Sequence, residues 1–150
     1  MSVSIERAPT DAAESRQLIA ELWEELDELY GNEIATIPKQ ADAADVIFVV
    51  ARDGNVAVGC GALRRRTESI GEVKRVFVRR ASRGQGIARA IMHELEQLAR
   101  GAGFDEIWLV TGLRQPAAIR LYESLGYTRI AAFGDYKDDP VSVCYGKTLS

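Results

Sequence analysis

The chain reads as an α/β fold of the mixed α+β kind: one central mixed, mostly antiparallel sheet of about seven strands covered by about four helices, in a single domain over residues 1–150. Three observations lead there. A length of 150 residues suits one domain that buries roughly two-thirds of its unfolded surface, and no repeat, low-complexity tract or Pro/Gly/Ser linker divides it. Short β-type runs are interleaved with stretches of helical spacing. Their order is a strand, helices, three successive strands suited to antiparallel pairing, and then strand/helix alternation, which a mixed sheet under helices accommodates.

The first strand is Val3 to Arg7. Pro9-Thr10-Asp11 then breaks the chain and offers a capping residue for a helix whose apolar positions are Leu18, Ile19, Leu22, Trp23, Leu26, Leu29 and Tyr30. Gly31-Asn32 can end it, and residues 31–45, broken by Pro38, read as a loop with room for one helical turn. Strands at 46–52 and 56–65 follow, joined across Asp53-Gly54-Asn55, a hairpin signal. A third strand, 69–78, alternates less cleanly. From Gly86 to about Gly101 the period is helical, with Ile87, Ala88, Ile91, Met92, Leu95, Leu98 and Ala99 on one face and His93 opposite them, exposed. A strand at 106–110 precedes a short helix with Pro116 in its first turn, Leu121, Tyr122 and Leu125 inward, and Gly126 as its stop. The last strands are 127–131 and 141–148.

Composition removes several function classes. The longest apolar run, Val46 to Ala51, is far too short to cross a bilayer, so no membrane partner is expected. The first residues carry no basic, apolar leader, which predicts a cytoplasmic location. With Cys60, Cys144 and a single His93, neither a disulfide framework nor the usual zinc ligand sets can be assembled, so no metal is expected. A Ser-His-Asp hydrolase would need a G-x-S-x-G elbow, and none is present. The net charge of −3 hides an asymmetry: residues 1–63 carry −8, residues 64–100 carry +6, and residues 101–150 carry −1. One central basic stretch suggests an anionic ligand met by part of the fold, whereas nucleic-acid-binding domains are basic throughout, so no nucleic acid is expected.

Within that stretch, Val76-Phe77-Val78-Arg79-Arg80-Ala81-Ser82-Arg83-Gly84-Gln85-Gly86-Ile87-Ala88-Arg89 places a strand, a glycine turn and a helix in succession. The free N–H groups of a helix N-terminus suit a phosphate or pyrophosphate. Gly84 and Gly86 remove the Cβ atoms that would hold a ligand off the backbone, and Arg83 and Arg89 can add charge-assisted hydrogen bonds. A Walker loop would end Gly-Lys-Ser/Thr where this chain has Gly-Ile-Ala, and a dinucleotide fingerprint would need three glycines after the first strand. What remains, R-x-x-G-x-A at Arg83, Gly86 and Ala88 after V-F-V, resembles the acetyl-CoA signature of the GNAT superfamily of N-acetyltransferases. Residues Ala118 to Tyr127, A-I-R-L-Y-E-S-L-G-Y, resemble that family's second signature, and one helix and one strand separate the two as they do in the family.

The resemblance implies an acetyl-CoA-dependent transfer to a primary amine of a small molecule, by direct attack on the thioester, with acetyl-CoA as co-substrate. It assigns Val76, Phe77 and Val78 to pairing with the pantetheine arm, the Val78 N–H to the thioester carbonyl, and the amides of Gly84, Gln85, Gly86, Ile87, Ala88 and Arg89 to the pyrophosphate. Tyr122 stands where the family places the proton donor to the departing thiolate, and Glu72 where a carboxylate often takes the amine proton through water. The other expectation for Glu72 is a solvent-facing residue paired with Lys74 or Arg75. Gln115 stands where many relatives carry a cofactor-contacting Asn, and Val110 where others have a further carboxylate. The loop Phe133 to Pro140 borders the acceptor cleft in this fold, and its two aromatics and carboxylates suit a cationic molecule or a solvated turn. Arg64, Arg65 and Arg66 are left as a solvated cluster. A homodimer is common in the family. A CoA-binding sensor without transfer, and acetylation of a protein lysine or N-terminus, are the alternative activities.

Overall fold

The structure is a computed structural model that describes residues 3–31 and 46–149. Seven strands, β1 (Val3–Arg7), β2 (Ile47–Asp53), β3 (Val56–Arg65), β4 (Ile70–Val78), β5 (Glu106–Gly112), β6 (Thr128–Arg129) and β7 (Ser142–Thr148), form one sheet in the order β1-β2-β3-β4-β5-β7-β6. Every neighbouring pair is antiparallel except β4 with β5. The helices among the described residues are α1 (Ala13–Tyr30), α2 (Ile87–Gly101) and α3 (Pro116–Ser124). The expected fourth helical turn falls within 31–45, of which only Gly31 lies inside the described residues. No helix among the described residues is long and apolar enough to cross a membrane.

Alternation along the strands sorts side chains into two cores. On one face, Ile87, Ile91, Met92, Leu95 and Ala99 of α2 pack on Val49, Ala51, Val73, Val78, Ile107 and Leu109, and Tyr122 of α3 joins them. On the other, Leu18 and Leu22 of α1 pack on Phe48, Val50, Cys60, Ala62 and Phe77. Further along that second face, Phe133 and Tyr136 cover Trp108, Val110 and Cys144 of β5 and β7. The expected capping residue of α1 is not used: Ala12 holds the cap position, and the Ser15 hydroxyl and the Ala12 N–H both donate to the Pro9 carbonyl. The penultimate strand is shorter than its period-two run suggests, because one more ladder bond, Ile130 N–H to the Cys144 carbonyl, is followed by the turn that carries Phe133 into the sheet.

Candidate active site

The site begins with a fork in the sheet. Strands β4 and β5 pair only from Ile70/Glu106 to Val73/Leu109, although β4 runs on to Val78 and β5 to Gly112. Beyond Val73 the two strands present backbone edges that do not meet. The cause lies in β4, where Gly61 of β3 is spanned by two residues, since Cys60 faces Phe77 while Ala62 faces Lys74. At this bulge Arg75 takes a φ of +58°, the left-handed region that costs a non-glycine residue about 1–2 kcal/mol. Its carbonyl accepts the Cys60 thiol, 3.3 Å away, and burial pushes that thiol up to about 12, so it stays a neutral donor.

Past the bulge, the Arg79 N–H donates to the Val58 carbonyl, so ladder alternation turns the N–H and C=O of Val78 outward, away from β3. Here a cleft of about 920 Å³ opens, bounded by Val76, Phe77 and Val78, the turn before α2, and Leu121 and Tyr122 of α3. Gly84 and Gly86 take φ of +78° and +80°, and a Cβ on either would meet nothing within 4 Å among the described residues beyond its chain neighbours. Among the described residues, no acceptor meets the N–H groups from Gly84 to Arg89; the first helical bond here is Ala90 to the Gly86 carbonyl. These amides and the α2 dipole make an open anion cradle. The arginines around it are held by the protein itself. Arg83 donates through Nε to the Val78 carbonyl at 2.8 Å and through Nη2 to Glu25 at 2.6 Å, Arg80 reaches Glu25 and Glu28, and Arg89 bonds Ser124. Glu25 and Glu28 of α1 therefore line the same cleft as the cradle.

A second, smaller cavity of about 130 Å³ lies on the α1 side of the fork, between Leu22, Trp23, Leu26 and Tyr30 of α1, Glu72 to Arg75 of β4, Val110 to Gly112 of β5, and Tyr136 and Ser142. Leu22 and Gln115 border both spaces, so the two meet at the fork. Glu72 is 1% exposed, which overturns the solvent-facing expectation. Its Oε1 lies 3.3 Å from Arg64 Nε and 3.7 Å from Arg66 Nη1, without a hydrogen bond to either. The pairing to these arginines runs across the β3–β4 hairpin. It also corrects the solvated-cluster expectation: Arg64 and Arg66 converge on Glu72, and Arg65 lies 4.6 Å over the Phe104 ring. Arg66 in turn stacks 4.5 Å over Phe133, which packs against Trp108 and Tyr136. Of the two loop aromatics, Phe133 thus already holds a cation of the protein, whereas Tyr136 lines the smaller cavity.

Tyr122 sits on the larger-cleft side of the fork, its phenol pushed up to about 12 by burial and therefore protonated at neutral pH. Its ring meets that of Tyr127 edge-on at 6.0 Å, and the Tyr127 hydroxyl donates to the buried Glu96, which Lys147 also binds. At the junction itself the Tyr30 hydroxyl donates to Gln115 Oε1 at 3.2 Å, which directs the amide nitrogen of Gln115 away from Tyr30. Gly112 makes this possible, because a Cβ there would fall 1.7 Å from the Tyr30 oxygen.

All the expected cofactor residues except Gln85 line the larger cleft, Gln85 lies within its turn, and Glu72 lies across the fork. His93 is exposed, as its helical position suggests. Sequence reasoning did not find Tyr30, Gly112 or the Arg64–Glu72–Arg66 cluster. Tyr30 reads as one more apolar position of α1, and its partner is 85 residues away.

Comparison with known proteins agrees with this geometry. The acetyltransferase (GNAT) family model matches residues 12–127. An IAA acetyltransferase of Azospirillum brasilense is 39% identical over 137 residues, which cover 89% of each chain. A Klebsiella pneumoniae protein provisionally named an acyl-CoA N-acyltransferase superposes with a TM-score of 0.86 at 34% identity, covering 99% of this chain and 98% of its own. A GNAT family acetyltransferase from Elizabethkingia anophelis, solved with acetyl-CoA bound, shares the fold with a TM-score of 0.73 at 15% identity over 98% of each chain. The fold is that of an acyl-group transferase. The chain belongs to the GNAT family of N-acetyltransferases.

Proposed function

We propose that the chain moves the acetyl group of acetyl-CoA to a primary amine of a small molecule by direct attack on the thioester. The observation that carries this reading is the meeting of two cavities at the β4–β5 fork, a long one with an anion cradle and a small one holding a buried carboxylate. Acetyl-CoA supplies the activated acetyl group. The amides of Gly84 to Arg89 take its pyrophosphate, Val76 to Val78 offer an outward strand edge to the pantetheine arm, and the Val78 N–H polarises the carbonyl under attack. Glu72, on the far side of the fork, accepts the amine proton, and the protonated Tyr122 supplies one to the departing thiolate. The smaller cavity, about 130 Å³ against about 920 Å³ for the larger cleft, favours a compact acceptor over a peptide.

Two measurements test the reading. Saturating acetyl-CoA should raise the melting temperature, and thiol release over a panel of small amines should exceed background. Absence of stabilisation refutes the cofactor site. Stabilisation without release on any amine refutes transfer and supports a CoA-binding sensor.

A further inference from the structure

We infer that the Tyr136 hydroxyl is a second hold on the acceptor: it accepts an N–H of the amino group that Glu72 deprotonates, so the amine sits between these two side chains in the smaller cavity. This rests on the acetyl-transfer reading and names a further acceptor-binding residue of the same site. The first support is an unmet hydroxyl. Tyr136 is 8% exposed, and a tyrosine so deeply placed normally finds a hydrogen-bond partner for its oxygen. Among the described residues this one has none. Its backbone N–H donates to the Phe133 carbonyl and its carbonyl accepts the Asp139 N–H, but no group meets the side-chain hydroxyl. Glu72 lines the same cavity, is 1% exposed, and has an Oε1 that also lacks a hydrogen bond. Burial pushes the Tyr136 phenol up to about 12, and the Glu72 charge adds to the rise, so the hydroxyl stays protonated at neutral pH and feels that carboxylate.

The second support is how firmly the turn holds Tyr136. Its ring meets that of Phe133 edge-on at 5.9 Å, and the Asp139 carboxylate closes the turn by accepting the Val141 N–H and the Ser142 hydroxyl. Gly134 takes a φ of +56°, and a Cβ there would lie 3.2 Å from the Arg66 guanidinium. That same guanidinium stands 3.7 Å from Glu72 Oε1, so one arginine braces both the turn and the carboxylate. Groups fixed in this way lose little further freedom when a ligand arrives. Two unmet oxygens in one small cavity suit a group with at least two N–H donors. The carboxylate can only accept, and a neutral phenol can accept on its lone pairs while keeping its own proton. A primary ammonium gives one N–H to each. Once Glu72 has taken its proton, the amine stays tied to Tyr136 through a second N–H and has its lone pair free for the thioester. An alcohol or thiol brings a single donor and would leave one of the two oxygens unmet.

The test is Tyr136→Phe, which removes the oxygen and keeps the ring against Phe133 and Cys144. Since the hydroxyl has no partner to lose among the described residues, Tm should fall by no more than about 2 °C, and the Kd for acetyl-CoA should stay within about twofold. On the primary amine that the wild-type chain acetylates best in the small-amine panel, kcat/KM should drop about five- to fiftyfold, the range of one hydrogen bond from a neutral to a charged partner. Calorimetric titration of the same amines into the CoA-saturated chain gives a readout without turnover, and the Kd of the best-bound amine should rise by a similar factor. Losses below about fivefold in both kcat/KM and Kd are those of a hydroxyl that meets only water; they overturn the inference and leave acetyl transfer standing. A Tm lower by more than about 5 °C together with weaker acetyl-CoA binding makes Tyr136 structural and overturns it as well. Amines that bind the wild-type chain and lose affinity in the variant, with no CoA release, refute transfer and leave the hold on the amine standing. Neither binding nor release refutes both.

Discussion

Replacing Tyr122 by Phe removes one oxygen from the centre of the proposed chemistry. The ring lies in the core against Tyr127 and stays there, so folding loses little and the walls of the cofactor cleft are unchanged. General-acid catalysis is worth about 10²–10⁴-fold, so kcat should fall by at least a hundredfold while the Kd for acetyl-CoA stays within about twofold. The phenol offers a second, independent reading. Its pKa rises from 10.0 to about 12 on folding because burial disfavours the phenolate. Above pH 10 the unfolded chain releases this proton while the folded chain keeps it, so the contribution is complete below about pH 10 and is lost as pH climbs through about 12. A shift of this size corresponds to roughly 2–3 kcal/mol, and the alkaline loss of stability in urea titrations should be shallower in Tyr122→Phe by one proton over that window. Steady-state kinetics, acetyl-CoA titration and pH-dependent unfolding together decide the matter. A variant that keeps a third or more of wild-type kcat removes Tyr122 as the proton donor, and an unchanged alkaline limb refutes the burial argument.

Three further outcomes follow from the same geometry. Gly112→Ala drives a methyl into the Tyr30 hydroxyl and should cost about 2–3 kcal/mol by urea unfolding, or roughly 5–10 °C in Tm; the cost should shrink in a Tyr30→Leu background, and a loss below about 0.5 kcal/mol would contradict the contact. Glu72→Gln should lower kcat most at low pH, with the deficit narrowing as the amine sheds its own proton; a uniform deficit across the pH profile would make Glu72 structural instead. Glu25→Gln with Glu28→Gln removes the carboxylates that occupy Arg80 and Arg83, so CoA should bind about two- to fivefold more tightly at low salt, an advantage that fades as salt rises; weaker binding would show that those pairs support the cradle.

What could be read in the chain was local. Seven strands and three helices declare themselves through period and punctuation, and the anion cradle does so because a strand, two glycines and an apolar helix follow one another within 14 residues. The rest depends on register between distant segments. Glu72 finds Arg64 and Arg66 only through hairpin pairing, Tyr30 finds Gln115 only when α1 crosses the end of β5, and Gly112 matters only because that crossing is close. No single-residue propensity carries such information, since a buried ion pair and an exposed one draw on the same residue types.

The least regular strand is the most informative case. Read at period two, residues 69–78 put Val73, Arg75 and Phe77 on one face and Glu72, Lys74, Val76 and Val78 on the other, which buries charges on both. The fold resolves this conflict with one bulged residue: Val73, Val76 and Val78 go to the core under α2, Phe77 to the core under α1, and Glu72, Lys74 and Arg75 to the cavity between α1 and β5. A sequence in which neither parity of a strand yields an apolar face therefore indicates a bulge, and its position can be found as the residue whose removal restores alternation. Here, deleting Arg75 gives Glu72-Val73-Lys74-Val76-Phe77-Val78, an unbroken alternation of the face under α1 with the face under α2. The forked sheet follows from that one insertion, because a strand that bends away at Arg75 stops pairing with β5 after Val73 and leaves an open edge at which the two cavities meet.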